Sequence, residues 1–307
     1  MTACSDASLS VGEPLIGTAP EAAAWLVFEQ PGPWGRKALS DSHLDPVLGE
    51  ALEVAAAAHH ARVALVRRPG RHPDDHEARL RRVWIASTRP QRSWLLSGLV
   101  DDVADLGRLS WAGLAAGDLP SVRDSIPTLR VESEPLLLVC TNGRRDVCCA
   151  LKGRALITAL RGRLPGRVWE TTHLSGHRFA PTALLLPAGV MYGRLSPDLA
   201  VQAYERAAAG EVVMHGYRGR TAYDRLGQAA EAAVRTITAE HDLDALDVVS
   251  VAEHDGSGWL ATVQHRDGRR WRVTVAERTL ESARPESCGA AAVNPVTYDT
   301  TQPVPMR

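Results

Sequence analysis

The chain has 307 residues, enough for two ordinary domains or for one with large additions, and 45% of them are hydrophobic, which supports a sizeable core. A formal net charge of −1 excludes a protein that coats nucleic acid or an anionic membrane over its whole surface. No apolar run approaches the roughly 18 to 20 residues that cross a bilayer.

The segment 1–20 has no basic stretch ahead of an apolar one and carries Asp6 and Glu13, so no export signal is expected and a cytoplasmic location is. In that reducing compartment the five cysteines (Cys4, Cys140, Cys148, Cys149 and Cys288) do not suit a disulfide framework. Three of them crowd into 140–149.

Residues 1–20, small and polar, read as a flexible tail. Strands are predicted at Trp25–Glu29, Val63–Val66, Val83–Ser87 and Trp94–Leu99. Between the first two lies a helix that starts at Asp45-Pro46, an N-cap residue followed by proline at the first helical position, with Leu48, Leu52 and Ala55 at helical spacing. The polar stretch Gly117–Pro127 reads as a linker.

The same order then returns. Leu136–Cys140 is a fully apolar strand, a helix runs over 147–162, and strands follow at Val168–Thr171, Ala183–Leu186 and Val190–Tyr192. The next helix has Ser196 as N-cap, Pro197 at its first turn and Gly210 past its end. Strand, helix, strand, long loop and hairpin thus occur twice, an α/β order that suits two tandem thioredoxin-like halves with a repeat of roughly 110 residues. The boundaries read 21–125 for a first, degenerate half and 126–212 for the second. An extension over 213–281 holds a helix at 222–240 and a small antiparallel meander around Val248, Val263 and Val273, with turns at Asp255-Gly256 and Asp267-Gly268. Residues 282–307 read as a second tail, which leaves Cys4 and Cys288 without a role.

The chemistry concentrates in two loops. Cys140-Thr-Asn-Gly-Arg-Arg-Asp-Val-Cys148-Cys149 leaves one strand, and His173-Leu-Ser-Gly-His177 leaves the next. In a βαβ unit the strands are parallel, so both loops emerge at the carboxyl edge where ligand sites form. Gly143 and Gly176 let the backbone approach a bulky group closely. Two cysteines and two histidines suit either zinc or an iron–sulfur cluster. Structural zinc prefers cysteines two to four residues apart, and the wider separation of Cys140 from Cys149 leans towards the cluster. A thiol-based redox enzyme is a further alternative, although the Cys-x-x-Cys spacing is missing.

These two runs, the second continuing as Arg178-Phe-Ala, resemble the sucrase/ferredoxin-like family of thioredoxin-like ferredoxins over residues 20–210. The resemblance implies a [2Fe–2S] cluster held by Cys140, Cys149, His173 and His177, with electron transfer as the role and no catalytic residue. On the same basis Cys149 rather than Cys148 is the ligand, and Cys148 is a small buried residue. Two imidazoles in place of two thiolates make reduction easier: Rieske-type centres lie at about −150 to +300 mV, against about −400 mV for plant-type ferredoxins.

His72 and His76 repeat the histidine spacing in the first half, but no cysteine precedes them, so they read as a solvated loop. Between Arg144 and Arg178 eight basic residues face two acids, Asp146 and Glu170. That surface suits an acidic redox partner, with Arg145 and Arg178 also placed to tune the centre. Neither a nucleic acid nor a membrane is expected as a partner.

Overall fold

The computed structural model describes residues 3–70, 80–254, 256 and 258–306. In chain order its elements begin with helix α1 (Cys4–Ser10), strand β1 (Ala24–Glu29), helices α2 (Ala38–Asp41) and α3 (Pro46–Ala58), and strands β2 (Ala61–Arg67), β3 (Arg81–Ser87) and β4 (Trp94–Val100). Helices α4 (Trp111–Ala116) and α5 (Leu119–Ser125) lead to strands β5 (Arg130–Val131) and β6 (Leu136–Cys140). A π-helical turn at Cys149–Gly153 runs into α6 (Arg154–Leu160), followed by β7 (Val168–Thr171), β8 (Ala183–Leu186), β9 (Val190–Tyr192) and α7 (Pro197–Ala208). The chain ends with β10 (Tyr217–Arg220), α8 (Arg225–Thr238), β11 (Leu246–Glu253), β12 (Trp259–His265), β13 (Arg270–Thr279), β14 (Arg284–Pro285), β15 (Ala292–Val293), β16 (Val296–Thr300) and β17 (Val304–Pro305).

This is a mixed α/β fold. Ten strands form one sheet in the order β10-β9-β8-β6-β7-β2-β1-β3-β4-β5. Within it β1 and β2 are parallel, and β1–β3 and β3–β4 antiparallel. The set β6, β7, β8 and β9 repeats those pairings in the same order. The two sets meet at the antiparallel β2–β7 pair, where Arg67 opposes Glu170, so the order reads the same outward from the centre in both directions. Arg67 Nη2 lies 2.7 Å from Glu170 Oε2, which also accepts from Thr141 Oγ1 at 2.8 Å. The junction therefore reaches the first residue after β6.

Alternation along β6 sends Leu137 and Val139 to one face, under Leu156, Ile157 and Ala203. Leu136, Leu138 and Cys140 go to the other, with Trp25, Trp84 and Trp169. A separate sheet of β11, β12, β13 and β16, with β17 paired to β13, packs Val263 and Val273 against Ala230 and Val234 of α8.

Three expectations change. Gly117–Pro127 is not a linker: Asp118 caps α5 through Ser121 N, and Val122 and Ile126 enter the core of the first half. The same polar residues that resemble a linker are a left-handed helix end at Gly117 and a helix start at Asp118. The segment 1–20 is not a loose tail, because α1 is present and Cys4, Ser5, Ser8 and Glu13 are buried. Nor is 282–307, whose β16 and β17 pair with β13. What holds both ends is the buried Glu13–Arg284 pair, with Arg284 Nε donating to Glu13 Oε2 at 2.7 Å. His72, His76 and Asp255 lie outside the described residues. Among the described residues no helix is long and apolar enough to cross a membrane.

Candidate metal centre

Parallel pairing of β6 with β7 sets Cys140 opposite Thr171, so both strands release their loops at one edge. The first loop returns through the π-helical turn, a backbone irregularity that recurs at functional sites. Gly153 makes that return possible: a Cβ there would come within 2.1 Å of the Cys140 carbonyl oxygen. Cys149 thereby comes to lie beside Cys140, and both side chains are buried with Leu174.

The second loop reverses through Ser175 and Gly176, at φ +67° and +69°. The reversal brings the His177 ring beside His173, with centroids 5.3 Å apart. Buried Leu174 anchors the loop between them. Gly176 has a reason besides access for a bulky group, since a Cβ would fall on the Arg218 guanidinium. Arg218 is itself buried, donates to the Ser175 carbonyl at 3.2 Å, and is pushed down to about 9 by desolvation. Gly143 packs directly against Ala150.

Both histidines lie within electrostatic reach of Cys140. The Nδ1 atoms of His173 and His177 are buried without a hydrogen-bond partner among the described residues. A buried ring nitrogen left unpaired is costly unless something else binds it. The other nitrogen of His177, Nε2, lies 3.8 Å from Asp146 Oδ2. Burial pushes the His177 imidazole down, which favours the neutral form that binds metal, and Asp146 pulls it back up. The Cys149 thiol, with help from His173, holds Cys140 well below the usual thiol range, whereas the proton stays on Cys149. Two thiols and two imidazoles on adjoining loops are side chains of the kinds that bind iron or zinc.

A family model described as sucrase/ferredoxin-like matches residues 15–219, about two thirds of the chain. The chain belongs to the sucrase/ferredoxin-like family. No curated protein and no solved structure matches it.

Within this sucrase/ferredoxin-like region the two adjacent cysteines diverge. Cys149 faces Cys140, and Cys148 faces Cys4, Ala180 and Cys288. Arg145, half-buried, lines a cleft of about 280 Å³ with Arg36, Lys37, Arg62 and His173. Arg178 instead turns away and donates to Glu13 Oε1 at 2.8 Å. The basic excess of 144–178 is partly neutralised inside the molecule, since Lys152 pairs with Asp6, Arg163 with Asp198 and Arg167 with Glu132. Arg144 is exposed and Arg145 half-buried, next to the donor set.

Sequence reasoning passed over Asp146, Cys4 and Cys288. Asp146 is buried, and its two oxygens accept the backbone N–H groups of Cys148 and Cys288, each at 2.8 Å. Burial alone would raise its pKa, yet those bonds hold it below the usual carboxylate range. One of its partners lies 142 residues away in the chain, so no local pattern reveals the role.

Proposed function

We propose that Cys140, Cys149, His173 and His177 hold one [2Fe–2S] cluster and that the protein passes single electrons to a redox partner. The observation that carries this reading is the pair of unpartnered buried Nδ1 atoms beside two buried sulfurs. The repeated strand order, with the second strand at one side of each set and the hairpin at the other, supports a tandem thioredoxin-like origin in which the first half keeps the frame without cysteines.

When bound, such a cluster supplies one-electron chemistry at a potential above that of four-cysteine ferredoxins. The chain's own groups then set the conditions. Leu174, fully buried, packs with Cys140 and Cys149 and keeps water from their sulfurs. Asp146 Oδ2 stands 3.8 Å from His177 Nε2 and favours a protonated imidazole there. That nitrogen can take up a proton as negative charge accumulates, so the potential falls as pH rises.

Purified anaerobically, the protein is expected to be red-brown, with iron and acid-labile sulfide near two per chain. Its potential should fall by roughly 60 mV per pH unit in the range where one proton accompanies one electron. Colourless protein without sulfide, or a potential flat from pH 6 to 10, rules this reading out.

Docking is the second element. Arg36, Lys37, Arg62 and Arg145 converge beside His173, which gives an acidic partner a short path to a histidine edge. Reversing Arg144 and Arg145 to glutamate should slow reduction by an acidic partner about tenfold at low salt and flatten its salt dependence, as stopped-flow rates would record. Unchanged rates and slopes would remove this surface from consideration.

A further inference from the structure

Three thiols, one near each end of the chain and one from its middle, meet on the far side of Cys149. Cys4 opens α1, Cys148 precedes the π-helical turn, and Cys288 follows β14. Their sulfurs form a closed triangle with edges of 3.5 Å (Cys4–Cys148), 3.3 Å (Cys148–Cys288) and 3.6 Å (Cys288–Cys4). Asp146 stands over it, with Oδ1 and Oδ2 at 3.7 and 3.8 Å from the Cys4 sulfur. The four donor groups lie within 4.8 Å of one another, and three of the four residues are buried. Ser5 Oγ adds a contact to the Cys148 sulfur at 3.3 Å.

We propose that Cys4, Cys148, Cys288 and Asp146 form a tetrahedral site for one thiophilic divalent cation, zinc being the best fit. The dimensions support it. A Zn–S bond of about 2.3 Å places two sulfurs of a tetrahedron about 3.8 Å apart, so the triangle needs only a slight opening to become a ligand face. A disulfide joins two sulfurs at about 2.05 Å and leaves the third unused; here all three pairs are nearly equal. The carboxylate is already oriented, since the Cys148 and Cys288 backbone N–H groups fix it from two directions. Binding releases the thiol protons to solvent, and four protein donors with no open position describe a structural rather than a catalytic site.

The site would staple both chain ends over the sucrase/ferredoxin-like region, because its ligands are separated by 144, 140 and 284 residues. α1 packs on the His177–Phe179 turn, so the staple would also close one wall of the neighbouring donor set. This inference does not rest on the cluster reading.

Zinc, iron and sulfide should be quantified together in the full chain. The expected result is about one zinc per chain, falling about tenfold in Cys288→Ser while iron and sulfide stay unchanged. Cys288 is the partly exposed member, so this variant is the one least costly to the core. Cobalt supplied in place of zinc should give the strong visible absorption of tetrahedral thiolate-bound Co²⁺ in the wild type and not in Cys288→Ser. Reduced wild-type protein that takes up neither zinc nor cobalt overturns the proposal. So does a full zinc content retained in both Cys288→Ser and Cys4→Ser, or a disulfide among the three cysteines in freshly isolated, metal-free protein. Zinc retained in a Cys140→Ser variant that has lost its iron would separate the two sites.

Discussion

Cys149→Ser protein is expected to emerge without iron or acid-labile sulfide, whereas Cys148→Ser protein should keep both. Successive residues of a helical turn point about 100° apart, and Cys148 has helical backbone angles (φ −61°, ψ −39°). Cys149 therefore turns onto Cys140 and Leu174, and Cys148 turns onto Cys4 and Ala180. Removing a cysteine ligand leaves three donors for a group that needs four. Iron should fall from about two per chain to below about a tenth of that value. Iron, sulfide and the visible spectrum, measured on both variants, check the assignment. Iron lost from Cys148→Ser and kept in Cys149→Ser would reverse it.

The second large effect lies at Glu13. Its carboxylate receives Arg284 on both oxygens and Arg178 on Oε1, and both Glu13 and Arg284 are almost fully buried. Replacing one member of a buried pair strands the other charge, at a cost of about 3 to 5 kcal/mol. Glu13→Gln should lose stability of that order at pH 7, visible as a lower denaturation midpoint at unchanged slope.

The pH dependence has a definite sign. Burial opposes ionisation of Glu13, but Arg284 and Arg178 outweigh it and hold the carboxyl below its ordinary value. Its contribution is therefore complete above the unfolded value of about 4.3 and disappears as pH falls through the folded one. The gap between wild type and Glu13→Gln should narrow on acidification. A gap independent of pH would show that packing, not charge, is what the substitution removes. Thiol-reactive probes should also reach Cys4 faster in the variant, because Glu13 ties down the segment that carries α1.

Much of the architecture was legible without coordinates. β6, β7, β8 and β9 begin and end where apolar runs and turn residues predict, and α7 starts at Ser196-Pro197 as its cap requires. The doubling of strand and helix order also survives, as two sets of four strands joined at β2–β7. Where reading failed, polarity was mistaken for exposure. Asp118 in the supposed linker is a cap, and Glu13 in the supposed tail is a buried ion-pair partner. A polar residue paired inside a protein looks the same in sequence as one in water.

Two features of this protein follow from the sequence alone: the strand-ending loops that carry Cys140, Cys149, His173 and His177, and the parallel βαβ unit that presents them at one edge. These depend on contacts within some forty residues, where side-chain periodicity and turn chemistry report the structure directly. Only the tertiary structure decided which way Cys148 and Cys149 face, and that Cys4, Cys288 and Asp146 stand together. Those contacts close loops of up to 284 residues. Closing them depends on the packing of every element between, which no local pattern encodes.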